Sequence, residues 1–337
     1  MMRLWLFIVA LLSFSVFSFR TTERAYHLSG YAQGTTYHIT YYAADSVVGQ
    51  QDIDRILDGI DSSLSVYKSY SVITKFNQSA RGCRADRHLK LIVEKAGEVW
   101  KNTDGIFDIT VQPMVQLWGF GVKSSNEVPD SGQVRERMKC VGMDKIFLKS
   151  DSLIKASPCI SIDVNGIAQG YSVDVVAHYL ESRGLGNYLV EIGGEIRLKG
   201  RRQPDGKLMS VGIEAPGDDT NPEPLQKIIH LPGGAITTSG NYRKFYMQGS
   251  RRISHLIDAR TGFPIDNELI SVTVWAKDAI TADGYDNALM GMGLQKALQF
   301  AEKKKDFEIY LIYRRPDGVI ADTCSQGFTH FFTSERR

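Results

Sequence analysis

Residues 161–194, SIDVNGIAQGYSVDVVAHYLESRGLGNYLVEIGG, constrain the fold more than any other stretch of the chain. An acid, Asp163, stands in a turn signal made with Asn165 and Gly166. A run with helical periodicity follows, then a short apolar segment closed by Gly193 and Gly194. That order reads as strand, loop, helix, strand and glycine turn. Ile167, Tyr171, Val175, Tyr179 and Leu180 recur at helical spacing, which predicts one helix face lying on a core. Gly184, directly behind Arg183, is placed to end that helix with a left-handed residue. A loop with an acid, backbone amides freed by Gly166 and Gly170 and a helix N-terminus behind it suits a metal-bound phosphate. Ordinary strand-to-helix turns favour the same residues, so this stretch alone leaves both readings open.

The chain has 337 residues, enough for one large domain or two ordinary ones, and neither an internal repeat nor a linker divides it. We expect a single domain over 26–333. Lysine and arginine total 40 against 38 acids, and no basic run is interleaved with aromatics, which removes nucleic acid as a partner. At the N-terminus Arg3 precedes an apolar run from Leu4 to Phe19, closed by Arg20. A membrane-spanning helix needs about twenty apolar residues, so this shorter run reads as a signal-peptide core or a short uncleaved anchor. Residues 1–20 are therefore expected to export the protein to the periplasm and to give it a route to membrane association. Cys83, Cys140, Cys159 and Cys324 form no CxxC, so zinc is not expected. One or two disulfides fit an oxidising compartment, with the pairing left open.

Residues 26–42 alternate as a strand pair around Gln33, Gly34 and Thr35. Ile53, Ile56, Leu57, Ile60 and Leu64 predict one helix. Leu89, Ile92, Val93, Ala96, Val99 and Trp100 predict a second, ended by Asp104 and Gly105. The aromatic, glycine-rich stretch 105–121 reads equally as a cleft lining or an aromatic core corner. Strands are expected near 145–148 and 159–164, and a hairpin over 184–200 turning at Gly193 and Gly194. Further strands are expected at 208–213, 228–231, 235–238, 244–246, 271–275 and 307–313, with Ile320 and 328–332 closing the sheet. Residues 124–130 and 217–224 read as polar loops, and 278–305 as a helix interrupted by Gly291 and Gly293. Strands and helices mixed without strict alternation give an α+β fold of mixed, largely antiparallel sheets with packed helices.

Three clusters could carry chemistry. The first is Asp163 with the Gly166 loop, and the second is Asp283 with Asn287, four apart and so on one helix face. The third is Thr237 to Arg243 together with Ser254 to Gly262, which contains His255. A carboxylate, an amide oxygen and a loop carbonyl are hard donors, which suit magnesium better than zinc or copper. Alone, Asp283 and Asn287 also fit a solvated helix face. Ile253, His255 and Ile257 fall on one side of a strand, so His255 reads either as a semi-buried, hydrogen-bonded histidine or as a general base. No P-loop, GxGxxG or GxSxG motif is present.

Eight segments in order, QGTTYHITY, SVYKSYSVITKFN, GIFDITVQPMVQLWGFG, SIDVNGIAQGYSVD, NYLVEIGGEIRLKG, AITTSGNYRKF, SHLIDARTGFPI and SVTVWAKDAITADGYDNALMGMG, resemble the ApbE-type flavin transferases (FAD:protein FMN transferases) from Gly34 to Phe332. The resemblance implies an ApbE-like (T-fold-related) architecture. It also implies an exported, magnesium-dependent enzyme that cleaves FAD, joins FMN through a phosphoester to a threonine of an acceptor protein and releases AMP. An electron-transfer complex subunit would be the acceptor. By the same likeness His255 is the base, and Asp283, Asn287 and the Gly166 carbonyl hold magnesium. Gln33, Tyr67, Phe107, Asp108, Asp163, Gln169 and Ile257 line the FAD pocket. The chain departs from the family at Gln33, usually methionine, at Gln169, usually lysine or glutamate, and at Asn287, usually threonine. A hydrolase that turns FAD into FMN and AMP, and a flavin-binding protein without turnover, are the competing functions.

Overall fold

A computed structural model describes residues 23–121, 128–214, 227–242, 245–249 and 251–332. The leader over 1–20, the polar loop 217–224, most of 124–130, Arg243 and Lys244 lie outside these residues.

Strands β1 (Arg24–Ala32) and β2 (Thr35–Ala43) form the expected hairpin, with Ala32 opposite Thr35. Its two-residue turn, Gln33 and Gly34, has φ of 55° and 78°, the geometry whose twist matches paired strands. Helix α1 (Gln50–Leu64) buries Ile53, Leu57, Ile60 and Leu64. Helix α2 (Val72–Gln78) begins at Ser71, whose hydroxyl accepts the Thr74 N–H at 3.2 Å. After β3 (Gly82–Arg84), α3 (Arg87–Asn102) is capped by Asp86 and buries Leu89, Ile92, Val93, Ala96 and Val99. Residues Ile109–Val111 form a single 3-10 turn that runs into α4 (Gln112–Leu117). Then come α5 (Ser131–Met138), β4 (Ile146–Lys149) and β5 (Ser152–Lys155).

The central stretch supplies α6 (Ala168–Ser182), β6 (Tyr188–Ile192) and β7 (Glu195–Lys199). It is followed by β8 (Met209–Ile213), β9 (Lys227–Leu231), β10 (Gly233–Gly240), β11 (Phe245–Gln248), β12 (Arg251–Ser254) and β13 (Leu269–Ala276). Helices α7 (Ala279–Met292) and α8 (Leu294–Lys304) divide at Gly293, and β14 (Phe307–Arg314) and β15 (Ile320–Cys324) complete the elements.

One sheet of eight strands, in the order β1-β2-β6-β7-β10-β13-β14-β15, has antiparallel pairing throughout. Alternate residues of each strand face opposite sides. On one side Val190, Ala235, Val272, Val274 and Ile309 pack against α1, α6 and α7 through Leu57, Val176 and Leu289. On the other, Leu198, Ile236, Tyr310 and Ile312 are covered by the β8–β9 hairpin and by Phe328. The sheet is thus sandwiched, and α6 and α7 meet on the side where the chemistry collects.

Residues 159–164, expected as a strand, begin in a turn at Cys159 and pair with no strand among the described residues. The side chain of Asn77 takes the neighbour's place, accepting the Ile162 N–H at 2.8 Å and donating to its carbonyl at 2.9 Å. The strand in this region is β5, between β3 and β4. Residues 328–332, expected to close the sheet, belong to a 3-10 turn, Gly327–Phe332, packed beneath it. His255 stands one residue past the end of β12, in a bend. Helices α2, α4 and α5 are too short to show a helical stripe in the sequence, and Ser71, Pro113 and Gly132 at their starts read as turn residues. Cys140 pairs with Cys159, leaving Cys83 and Cys324 as thiols.

Candidate functional site

Helices α6 and α7 cross at Gly170. A Cβ there would overlap the Ala279 carbonyl and lie 2.7 Å from the Asp283 Cβ, so the backbones can approach this closely only with glycine. The contact lets the Gly170 N–H donate to Asp283 Oδ2 at 2.7 Å. Four residues earlier, the carbonyl of Gly166 faces the Asn287 amide, with Nδ2 at 3.4 Å. The N-terminal loop of one helix and the middle of another, 121 residues apart in sequence, therefore share one spot.

That spot is acidic. Carboxylate oxygens of Glu195, Asp283 and Asp286 lie within 4.8 Å of one another. Asp286 accepts the Thr237 hydroxyl at 2.8 Å and the Asn287 Nδ2 at 2.9 Å, and Ser239 donates to Asn287 Oδ1 at 3.0 Å. Glu195 Oε2 is out of solvent and has no hydrogen-bond partner among the described residues. Burial pushes the Asp283 carboxyl up to about 7, opposed by the Gly170 N–H and aided by the charge of Asp174. Burial and then the charge of Asp283 push Asp286 well above the usual carboxylate range, and burial with both neighbours does the same to Glu195. Three carboxylates so confined need either protons or a cation. Their hard oxygens, one of them an orphan, fit a divalent ion of the magnesium or calcium type. A half-turn of the Asn287 amide exchanges its nitrogen and oxygen, which places a carbonyl oxygen beside that of Gly166.

A cavity of about 620 Å³, within the range of small-molecule sites, opens beside this cluster. Asp163, Gly166, Asp283 and Asn287 line it, and so do Tyr67, Phe107, Asp108, His255 and Ile257. His255 is half-buried and edge-on to Phe120, with ring centres 6.2 Å apart. Phe107 is buried, whereas Tyr67 is exposed at the rim. The Asp108 carboxylate is engaged behind the wall, accepting the Thr110 N–H at 2.7 Å, the Thr110 hydroxyl at 2.5 Å and the Met143 N–H at 2.9 Å. Asp163 holds its own loop, accepting the Asn165 N–H at 2.8 Å while its backbone N–H donates to the Ile109 carbonyl at 2.7 Å.

Two expected lining residues stand elsewhere. Gln33 occupies the β1–β2 turn and does not line the cavity. Gln169 lies one layer behind, where its Nε2 donates to the Ile192 carbonyl at 2.8 Å beneath the Gly193–Gly194 turn. A Cβ on Gly193 would collide with that amide. Gln169 therefore shapes the part of the wall that the two glycines form.

The family model described as "ApbE family" matches residues 33–311. The chain belongs to the ApbE family. An FAD:protein FMN transferase of Vibrio cholerae is 38% identical over 339 residues, covering 98% of this chain and 100% of the relative. Among solved structures, the flavin transferase ApbE of Vibrio cholerae superposes with a TM-score of 0.82 at 36% identity, covering 92% of this chain and 99% of that one. The apo flavinyl transferase ApbE of Pseudomonas stutzeri gives 0.84 at 31% identity, with 94% and 99% covered.

In this ApbE chain the sequence reading missed Asp286 and Glu195. Asp286 follows Asp283 by three residues, a spacing that puts both on one helix face and was visible beforehand. Glu195 directly follows the Gly193–Gly194 turn, and only the strand register shows that it points toward α7.

Proposed function

We propose that this ApbE chain is a magnesium-dependent FAD:protein FMN transferase. The observation that carries the reading is the convergence of the Gly166 loop, the α7 acids and His255 on one cavity. The cavity wall offers Phe107 and Tyr67 for ring stacking, and the acidic end would receive the diphosphate together with its cation. Gly166, Asp283 and Asn287 would hold magnesium, with Asp286 and Glu195 close behind. When bound, the ion supplies charge neutralisation on the diphosphate.

The protein's own groups do the rest. His255 takes the proton from an acceptor threonine hydroxyl; that oxygen bonds the FMN-side phosphorus while the bond to the AMP oxygen breaks. Phe107 and Ile257 add apolar surface to the cavity wall, which limits competition from water. Purified protein given FAD and magnesium should release AMP rapidly only when an acceptor is present. Equal AMP release without acceptor would make the enzyme a hydrolase, and retained FAD without AMP would make it a carrier.

We also propose export to the periplasm. The apolar run behind Arg3 supports it, as does the Cys140–Cys159 disulfide, which an oxidising compartment preserves. Among the described residues no helix is long and apolar enough to cross a membrane.

A further inference from the structure

We propose that Asp174, which does not line the cavity, is the positioning residue that sets the oxygens of α7 against those of the Gly166 loop and β7. The inference rests on the metal reading above. Asp174 lies on α6, is only 4% exposed and reaches three partners on two other elements. Its Oδ1 accepts the Ala279 N–H at 2.9 Å and Arg197 Nη1 at 2.6 Å, and its Oδ2 accepts the Ile280 N–H at 2.9 Å.

Ala279 and Ile280 are the first two residues of α7, whose N–H groups have no partner within their own helix. The helix's own cap, Asp278, serves the next one, Thr281, at 3.0 Å. A neighbouring helix thus holds the two leading donors of α7 with both oxygens of one carboxylate. Gly170 lies one turn before Asp174 on α6, and its partner Asp283 lies one turn after Ala279 on α7. These two rungs, one turn apart on both helices, fix the sliding register of an antiparallel pair. Without the Asp174 rung the N-terminal turn of α7 loses its bonds to α6, one turn ahead of Asp283.

The third limb reaches the sheet. Arg197 is two residues from Glu195 on β7, so both side chains leave the same side of the strand. Arg197 also lies 3.8 Å from Glu181, so the guanidinium is gripped from two positions on α6. One buried carboxylate therefore ties α6, which follows directly on the Gly166 loop, to α7 and to β7, the elements bearing the three acids of the cluster.

A simpler role, an ion pair that merely stabilises the fold, makes a different prediction. Asp174→Asn strands Arg197 and turns one acceptor oxygen into a donor that faces backbone N–H groups. Adding Arg197→Gln removes the stranded charge but leaves the α7 donors without their two-oxygen hold. Magnesium affinity of the full-length chain is measured by titration calorimetry, with thermal unfolding followed in parallel. We expect both variants to bind magnesium about tenfold more weakly or worse, as for other groups that orient metal ligands. The double variant should regain melting temperature without regaining affinity. Affinity restored together with stability in the double variant would overturn the positioning role, as would unchanged affinity in Asp174→Asn. If the wild-type protein takes up no magnesium, the metal reading falls and this inference with it; if the wild type binds and the variants bind equally, only this inference falls.

Discussion

At the scale of single residues, the acidic cluster ties function to pH. The folded-state pKa of Asp283, about 7, lies above its ordinary value of 3.8, so folding takes up a proton between those pH values. Its contribution to stability is present below about pH 4 and is lost as pH rises through 7. Without magnesium, the melting temperature should fall across that window, and the gain on adding magnesium should grow with pH. A gain that stays constant from pH 5 to pH 8 would contradict the assignment; both follow from one series of thermal melts. His255→Ala should slow transfer by roughly 10²- to 10⁴-fold while leaving FAD affinity near that of the wild type. Weaker FAD binding with normal turnover would remove its role as base. Asp283 and Asn287 were legible because a four-residue spacing on a helix fixes a shared face. The Ile192 partner of Gln169 and the Met143 partner of Asp108 were not, since both lie on chain segments more than twenty residues away.

At the scale of elements, periodicity revealed those that bury a stripe and failed for those held by side chains. Helices α1 and α3 bury nearly every residue their spacing predicted. The first two-thirds of α6 is buried on more than the one expected face, including Ser172 and Asp174, because α7, α1 and the sheet all lie against it. Residues 160–164 alternate in burial as a strand does, yet Ile162 bonds to the Asn77 side chain, and Lys155 donates to the Ile160 carbonyl at 2.8 Å. Composition cannot distinguish a strand's neighbour from one asparagine. Asn77→Ala should leave the buried Ile162 N–H and carbonyl unpaired, at about 1–3 kcal/mol, and speed amide exchange over 161–166. Exchange unchanged in that segment would show that the clamp does not hold the loop bearing Asp163.

At the scale of the whole molecule, hairpin turns made the antiparallel character readable, but not the order of strands. Gly193 and Gly194 join β6 to β7 as expected, whereas β2 meets β6 across more than a hundred residues. The β7–β10 pairing and the α6–α7 contact bring Glu195 and the Gly166 loop to the α7 acids, so the complete site exists only in the finished fold. Transfer of FMN to a second protein is the claim on which the whole account depends. Its most direct test is mass spectrometry of an acceptor protein co-expressed with the wild-type chain or with Asp283→Ala. The account predicts an FMN-sized addition on an acceptor threonine with the wild type and none with the variant. An unmodified acceptor in both, or an equal addition in both, would contradict it.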